Sequence, residues 1–405
     1  MIGSFEVLRP RHVEEVTSAL LENGDRAALL AGGTDLLVRL KRSQRSLDVV
    51  VDLGGLAWLA SIDEQSAGLR LGALATPAAI AGHPLVRRFF PGLHQAARLV
   101  GACQIRSMAT VGGALCSGLR CQFRDQSRYW RETLGPCLAH GGAACHAVLC
   151  DVSVLGGNPF LEKGFSPGPP SRKTSEILSC EHPQMVPGSK SFEEGVRGRN
   201  FPATPEKSLP RVRDRCVATV ACDLPPALAA LGGIAEVVGA DGTRSVPVES
   251  LYRDDGLRHL DLARGELVTG VLVPWPARTS LSTYAKARLR KAVDRPLVGV
   301  AVAADVGPDR EIRAIRVAVC GSGPRVQVVE GLEPFIGARL DEPVAEAVGR
   351  AVHRAFHPSP ALRIDPAWRR HCAGVLIRRS LEEVLQRSID VTRSLSEMSG
   401  IDPRA

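Results

Sequence analysis

The first part of the chain alternates between amphipathic stretches and short apolar runs. An amphipathic stretch with helical spacing follows Pro10, and apolar runs of strand length come after it. Thr34 stands where it can cap a helix, and Thr76 followed by Pro77 opens another, because proline is favoured at the first helical position. The predicted helices are 11–22, 35–41, one opening at 77, and 90–100, and the predicted strands are 26–31, 47–53 and 69–74. Alternation of this kind over roughly the first 115 residues is typical of α/β structure.

Regular patterning stops at residues 149–210, which are rich in Pro, Gly and Ser and predict a flexible insertion. After the insertion, DLPPAL predicts a buried helix and Asp241–Gly242 predicts a hairpin turn. Further predicted elements are strands at 298–305 and 312–320 and helices at 342–355 and 368–386. The predicted organisation is an N-terminal α/β lobe at 1–55, a second lobe at 56–148 plus 211–275, the insertion, a C-terminal α+β domain at 276–390 and a tail at 391–405.

Composition narrows the class of protein. The 405 residues begin without a signal-peptide pattern, and no apolar run approaches the roughly 20 residues that span a bilayer. We therefore expect a soluble cytoplasmic protein without a membrane partner. The net charge of +8 is compatible with an acidic partner or with a generally basic proteome. No nucleic-acid-binding motif accompanies the charge, so we expect no nucleic-acid partner.

Two Gly-Gly loops are candidates for ligand binding. The first follows a predicted strand and opens a helix, so its backbone can approach a ligand closely and the helix N–H groups face an anion. Neither loop is GxGxxG after the first strand, and neither is a P-loop. Two such loops suit a ligand with two phosphates, such as a dinucleotide. The candidate contact residues are Leu30, Ala31, Gly32, Gly33, Thr34, Asp35 and Leu36 in the first loop and Thr110, Gly112 and Gly113 in the second.

Four of the eleven cysteines are candidates for metal binding. Cys121, Cys137 and Cys145 are separated by fifteen and seven residues, and Cys216 follows the insertion. Thiols packed this densely in a chain without an export signal usually bind metal rather than form disulfides. The spacing is neither that of a zinc ribbon nor that of a bacterial ferredoxin. The sequence therefore predicts a metal site whose metal the spacing leaves open.

Several motifs together resemble the FAD-binding subunit of molybdenum hydroxylases. They are AGGTDLL at 31–37, LGALAT at 71–76, ATVGGAL at 109–115, KARLRKAVDRPLVGVAVA at 286–303 and WRRHCAGVLIRRSLE at 368–382. The resemblance implies a two-lobed PCMH-type FAD-binding domain, mixing α/β and α+β structure, followed by a C-terminal α+β domain of the CO-dehydrogenase flavoprotein type. It also implies that Gln104, Asp223 and Lys286 lie near the flavin. For Asp223 the alternative is a helix N-cap, and for Lys286 an exposed strand position. The family's Asn after the second Gly-Gly pair is Ala114 here.

The cysteine segment at 120–148 resembles the cluster loop of one subfamily, the flavin subunit of 4-hydroxybenzoyl-CoA reductase. The resemblance implies a [4Fe–4S] cluster held by Cys121, Cys137, Cys145 and Cys216. Cys150 is the alternative fourth ligand, because it follows Cys145 closely in the chain, whereas 70 residues separate Cys145 from Cys216. The expected non-ligands are Cys116, Cys180, Cys222, Cys320 and Cys372, and His146 is expected to lie outside the ligand set. Cys103 is expected beside the proposed flavin site, with packing as the alternative.

The resemblance implies an electron-transfer subunit that carries no catalytic residue of its own. A ferredoxin-like donor would supply electrons to the [4Fe–4S] cluster and FAD. A [2Fe–2S] small subunit and a molybdopterin-binding large subunit would receive them, in a heterotrimer that dimerises, for reductive dehydroxylation of an aromatic acyl-CoA. One alternative is a flavin subunit that uses NAD or a quinone without a working cluster. The other is a zinc-stapled binding protein without redox function.

Overall fold

The computed structural model describes residues 4–149, 215–290, 293–362 and 364–399. The predicted insertion, with Cys150 and Cys180, lies outside the described residues apart from its first residue. Within the described ranges, no helix is both long enough and apolar enough to cross a membrane. Three sheets and the helices packed on them make up the fold.

The N-terminal lobe is a three-stranded parallel sheet in the order β1-β3-β2. Its middle strand carries the buried valines 49–51, which explains why an apolar run forms the centre of the sheet. The predicted α/β pattern is confirmed, but Thr34 is not a cap, because the second helix begins later and Asp35 holds the N-cap position without a capping bond. The elements are β1 Glu6–Leu8, α1 Val13–Asn23, β2 Ala27–Leu30, α2 Leu36–Lys41 and β3 Val49–Asp52.

The second lobe is a five-stranded antiparallel sheet, β4-β5-β8-β6-β7, with short helices on it. Thr76 caps a helix through the amide of Ala79, as predicted. The predicted hairpin is confirmed, but Gly239 pairs with Gly242, so the turn lies one residue earlier than expected. The elements are β4 Ile62–Glu64, β5 Gly68–Gly72, α3 Pro77–Gly82, α4 Pro84–Phe89, α5 Pro91–Leu99, α6 Cys103–Met108, α7 Val111–Leu115, α8 Arg128–Leu134, α9 His146–Leu149, α10 Leu224–Ala230, β6 Ile234–Gly239, β7 Gly242–Pro247 and β8 Leu267–Pro274.

The C-terminal part is a four-stranded antiparallel sheet, β12-β11-β10-β9, with two helices. Its elements are β9 Ser280–Ala287, β10 Val298–Val306, β11 Ile312–Cys320, β12 Gln327–Val328, α11 Glu342–Ala355 and α12 Pro366–Ser399. Successive side chains of β10 point to opposite faces of the sheet. Val298, Val300 and Val302 pack in one core with α11 and α12, whereas Ala301 packs in the core of the second lobe.

Strand β9 lies against helix α5 of the second lobe, and this contact positions part of the candidate site. The amide of Gly92 donates to Ser282 Oγ (3.0 Å), and the amide of Tyr284 donates to Gln95 Oε1 (2.7 Å). These bonds fix β9 relative to the second lobe. They therefore also fix Lys286, two residues further along the strand.

Candidate functional site

The two Gly-Gly loops touch in the folded chain. A Cβ atom on Gly32 would lie 1.7 Å from the carbonyl oxygen of Met108 and 3.1 Å from Cα of Ala109, immediately before the second loop. Gly33 adopts a left-handed conformation with φ of +68°, which glycine accepts without strain. Glycine is therefore required at both positions, at Gly32 by the close approach and at Gly33 by the backbone angle.

The second loop is held by a cap and by the end of strand β5. Thr110 Oγ accepts from the amide of Gly113 (3.1 Å), which caps α7. The amide of Gly112 donates to the carbonyl oxygen of Ala73 (2.8 Å), and a Cβ on Gly112 would lie 3.0 Å from Cβ of Ala73. The second loop is thus fixed on one side by the β5 end and meets the first loop on the other.

The first loop presents a run of backbone donors. In the described part of the chain, the amides of Gly32–Leu36 form no hydrogen bond, while the following amide, of Leu37, donates to the Gly33 carbonyl (3.2 Å). Consecutive free amides at the start of a helix favour negative charge, because their dipoles point outward together. This arrangement suits a phosphate or pyrophosphate group.

The carboxylate of Asp35 points to arginines rather than to free space. It pairs with Arg120, with Arg39 (3.0 Å) and with Arg295 (3.6 Å), and it accepts from the amide of Gly118 (3.4 Å). Burial would raise the pKa of Asp35, but Arg120 and Arg39 outweigh burial and hold the pKa below its usual value. Asp35 can therefore offer a ligand its backbone amide, since its side chain is already engaged.

Asp223 and Lys286 form a buried ion pair. Lys286, with 1% of its side chain exposed, places Nζ 2.9 Å from Asp223 Oδ1 and also donates to the carbonyls of Leu99 (2.8 Å) and Asp294 (3.1 Å). Tyr284 donates to the same carboxylate (2.8 Å). Burial raises the pKa of Asp223, and the charge of Lys286 opposes that rise. Lys286 is therefore not an exposed strand residue, and Asp223 makes no capping bond although it holds the N-cap position of α10.

Helix α6 exposes two polar side chains next to the second loop. Gln104 and Cys103 are both exposed, and Cys103 Sγ lies 3.2 Å from Gln104 Oε1. The alternative of a packing role for Cys103 is wrong, because an exposed thiol fills no core. Its place beside the flavin stays a prediction. A flavin contact for Gln104 stays a prediction.

The chain brings Cys121 and Cys216 together through an isolated antiparallel bridge. Arg120 and Thr219 exchange two backbone hydrogen bonds, of 2.8 and 2.9 Å. Cys121 follows Arg120, so it lies alongside the segment that begins with Cys216. The amide of Gly256 donates to the Cys216 carbonyl (3.1 Å), and a Cβ on Gly256 would lie 2.8 Å from the sulfur. Cys216 is thus fixed from two sides.

Cys137 and Cys145 stand at the two ends of a closed loop. The amide of Leu138 donates to the Ala144 carbonyl (2.9 Å), and the amide of Gly142 donates to the Cys137 carbonyl (3.0 Å). The first bond joins the residue after Cys137 to the residue before Cys145. The two cysteines are therefore close in space although seven residues separate them in the chain.

The four thiols influence one another electrostatically. Burial raises the pKa of Cys121 to about 12, and the charges of Cys145 and Cys216 add to this. Burial also raises the pKa of Cys216, again with contributions from Cys145 and Cys137. Among the described residues, however, no three His, Cys, Asp or Glu side chains stand close enough to hold a metal ion. The four cysteines thus share one neighbourhood without the tight spacing of a single-ion site.

His146 is half-buried beside the cysteines. Its ring packs edge-to-face on Phe123, with centroids 5.7 Å apart, and Phe123 in turn contacts Trp130 at 6.1 Å. Burial lowers the pKa of His146. Its described contact is therefore aromatic packing.

Comparison with known proteins identifies the family. A model of the FAD binding domain in molybdopterin dehydrogenase matches residues 3–276, which is well over half of the chain. The chain is a member of the FAD-binding family of molybdopterin dehydrogenases. The CO dehydrogenase flavoprotein C-terminal domain matches residues 282–384 of this family member. The two matches confirm the fold class predicted from sequence.

Relatives of this molybdopterin dehydrogenase flavoprotein have several named activities. The aldehyde oxidoreductase FAD-binding subunit PaoB of Escherichia coli K12 is 27% identical over 339 residues, 82% of this chain and 85% of PaoB. The nicotinate dehydrogenase FAD-subunit of Eubacterium barkeri is 37% identical over 112 residues, which span 27% of this chain and only 38% of that subunit. A structure of carbon monoxide dehydrogenase from Hydrogenophaga pseudoflava shares the fold, with a TM-score of 0.66 and 19% identity over 96% of this chain and 99% of that chain.

The glycine loops fit the dinucleotide that the family binds. The free amides of residues 32–36 are donors of the kind that suits a pyrophosphate, and the contact between Gly32 and Met108 leaves no room for a side chain. Sequence reasoning missed Arg120 and Arg295, which hold Asp35 from the cysteine segment and from the C-terminal part. The only local signal is that Arg120 directly precedes a candidate ligand, and for Arg295 there is none.

Proposed function

We propose that this FAD-binding subunit also carries a [4Fe–4S] cluster on Cys121, Cys137, Cys145 and Cys216. It would serve a molybdenum-containing oxidoreductase similar to 4-hydroxybenzoyl-CoA reductase. A ferredoxin-type protein would supply electrons. A [2Fe–2S] small subunit and a molybdopterin-binding large subunit would receive them, in a heterotrimer that dimerises. FAD and the cluster supply electron storage and transfer, and this chain provides their binding sites.

The convergence of the four cysteines is the observation that carries this proposal. A tetrahedral zinc site needs Zn–S bonds of about 2.3 Å, which places neighbouring sulfurs about 3.8 Å apart. A four-iron cluster holds its thiolates further apart, because the cluster itself lies between them. The distance between the sulfurs therefore separates the two kinds of site. What supports a shared site is that Cys145 acts electrostatically on both Cys121 and Cys216 and that Cys137 acts on Cys216. Cys121, Cys145 and Cys216 are also buried, which suits a site that excludes water.

The residues around the flavin have separable tasks in this proposal. The amides of residues 32–36 bind the pyrophosphate, and the capped second loop fixes their position through the Gly32–Met108 contact. The Asp223–Lys286 pair joins α10 to β9 and so holds the C-terminal part against the second lobe. The charge of Lys286 is already balanced by Asp223, so the task of Lys286 in this proposal is to hold the two parts together.

Metal and flavin analysis of protein purified without oxygen tests the proposal. About four irons and four sulfides with one FAD per chain are expected for the wild type. Cys216→Ser should lose most of the iron and keep the flavin. The matched control is Cys222→Ser, six residues further along, which should keep both. Zinc without sulfide would overturn the cluster in favour of a structural zinc site.

A second candidate is a flavin subunit without a cluster that passes electrons to NAD or a quinone. The named relatives favour it, because they include aldehyde, xanthine and carbon monoxide dehydrogenase subunits. One FAD without iron, together with flavin reduction by NADH, would establish this function. Reduction by a low-potential one-electron donor but not by NADH would support the cluster-bearing subunit instead.

A further inference from the structure

We propose that Arg120 is a positioning residue that couples the first Gly-Gly loop, residues 30–36, to the cysteine segment at 120–148. We call the first Gly-Gly loop the flavin loop, because it is the proposed FAD-binding loop. FAD bound at residues 32–36 and an ordered arrangement around Cys121 would then stabilise each other. FAD is the family's cofactor, but its placement at residues 32–36 and the consequence for an iron–sulfur cluster both rest on the proposed function.

A continuous chain of contacts joins the two sites. The Arg120 guanidinium pairs with Asp35, whose backbone belongs to the flavin loop, and lies 4.0 Å from Asp125 Oδ1. Asp125 Oδ2 accepts from the amide of Cys121 (3.2 Å), and the Asp125 amide donates to the Cys121 carbonyl (3.0 Å). Arg120 itself is anchored by its backbone bonds to Thr219. The Arg120 side chain therefore connects Asp35, whose amide is a proposed donor to FAD, with Asp125, which holds the candidate ligand Cys121.

The bridge is well shielded from solvent. Only 13% of the Arg120 side chain is exposed, compared with 23% for Asp35 and 20% for Asp125. Charge pairs at this depth are screened less by salt than exposed pairs. Removing Arg120 leaves Asp125 without the cation that it faces and leaves Asp35 with only Arg39 and Arg295, so both loops should respond.

The bridge also contains buried atoms with unused hydrogen-bonding capacity. Nε of Arg120 and Oδ1 of Asp125 are buried and form no hydrogen bond in the described structure. Arg39 packs its guanidinium against Gly118, where a Cβ would lie 1.9 Å from it, so the segment before Arg120 is held tightly. When a bound ligand orders one end of such a network, the unused donors and acceptors can form further hydrogen bonds. This is the physical basis of the coupling.

Two measurements on the full-length chain test the inference. The first is the Kd for FAD. It is measured by titrating flavin-free protein with FAD and following the flavin fluorescence. The second is amide hydrogen exchange of the segment 118–125 with and without FAD. In the wild type, FAD should slow exchange of this segment by about fivefold or more, the lower end of typical coupling between sites. Arg120→Gln should weaken FAD binding by about tenfold and abolish the protection, and Arg120→Lys should restore part of both.

Two further variants separate coupling from folding. Asp125→Asn keeps the size of the side chain and should remove the protection at 118–125. Because coupling between two sites is reciprocal, it should also raise the Kd for FAD by about the same fivefold factor, which is less than the effect of Arg120→Gln. The matched control is Arg128→Gln, because Arg128 forms an exposed pair with Glu132 (2.7 Å) and does not contact Asp35. Wild-type FAD affinity together with full FAD-dependent protection in Arg120→Gln or Asp125→Asn would overturn the inference. Iron content is measured separately, so an iron-free protein would refute the cluster without affecting this result.

Discussion

The contact between the two glycine loops makes Gly32→Ala the sharpest test of the proposed flavin site. The added Cβ would lie 1.7 Å from the Met108 carbonyl oxygen, whereas real Cβ contacts stay above 3.0 Å. The loops must therefore separate by at least about 1.3 Å. The neighbour is backbone, so no side chain can rotate away to relieve the overlap.

This displacement is large relative to the tolerance of a hydrogen bond. Amide–phosphate bonds are charge-assisted and contribute about 1.5–3 kcal/mol each, so two misplaced donors cost about 3 kcal/mol or more. That corresponds to at least a roughly 150-fold increase in the Kd for FAD. We therefore expect Gly32→Ala to be purified with little or no flavin.

The assay is flavin content after purification, followed by a fluorescence titration with FAD. Gly82→Ala is the matched control, because a Cβ on Gly82 meets nothing within 4 Å at the end of α3. The control should bind FAD normally and gain about 0.4–1 kcal/mol in stability, because alanine has less freedom in the unfolded chain. A Gly32→Ala protein that is folded and binds FAD with wild-type affinity would refute the assignment of this loop to the pyrophosphate.

Further predictions concern buried charge and pH. Lys286→Met should lower the free energy of unfolding in urea by about 3–5 kcal/mol, because the carboxylate of Asp223 then stays buried without its cation. Adding Asp223→Asn should recover part of that loss. Burial lowers the pKa of His259 from its usual 6.5 to about 4, so the unfolded chain takes up this proton first. Stability should therefore be full above pH 6.5 and fall by about 2–3 kcal/mol toward pH 4, and His259→Gln should flatten this part of the Tm profile.

Each of these has a clear contrary outcome. A Lys286→Met midpoint equal to that of the wild type would mean that the pair contributes no net stability. An unchanged fall in Tm between pH 6.5 and 4 in His259→Gln would assign the pH dependence to other groups. The ring of His259 lies 3.2 Å from the Ser117 carbonyl, so its neutral form already has a partner.

Local pattern predicted the regular elements well where the pattern itself was regular. Strand β11 and helix α11 lie at the predicted bounds, because alternation along the strand and the capping Asp341 before the helix are local signals. Strand β8 was not predicted. It is buried along most of its length in the centre of the second sheet, and a continuous apolar run carries no period that separates strand from helix.

The site divides in the same way between local and long-range signals. The glycine loops can be recognised from the sequence, because glycine is needed at close approaches and at positive φ. Their contact with each other, at Gly32 and Met108, joins residues 76 positions apart and has no local signature. The burial of the Lys286 side chain likewise depends on α5 packing against β9 and on the ion pair with Asp223, which is distant in sequence. Sequence therefore indicated which residues could bind, and the fold determined which of them are already engaged by other protein groups.

The long insertion before Cys216 does not by itself disqualify that residue as the fourth ligand. Its described flanks converge, since Cys145 acts electrostatically on Cys216 and the Arg120–Thr219 bridge ties the returning chain to the start of the cysteine segment. The entropic cost of closing a loop rises slowly, by only about 0.6 kcal/mol for each doubling of its length. A few backbone bonds at the closing end can offset such a cost. The length of this connection therefore does not prevent Cys216 from joining the other three cysteines, provided that the bridge at Thr219 is intact.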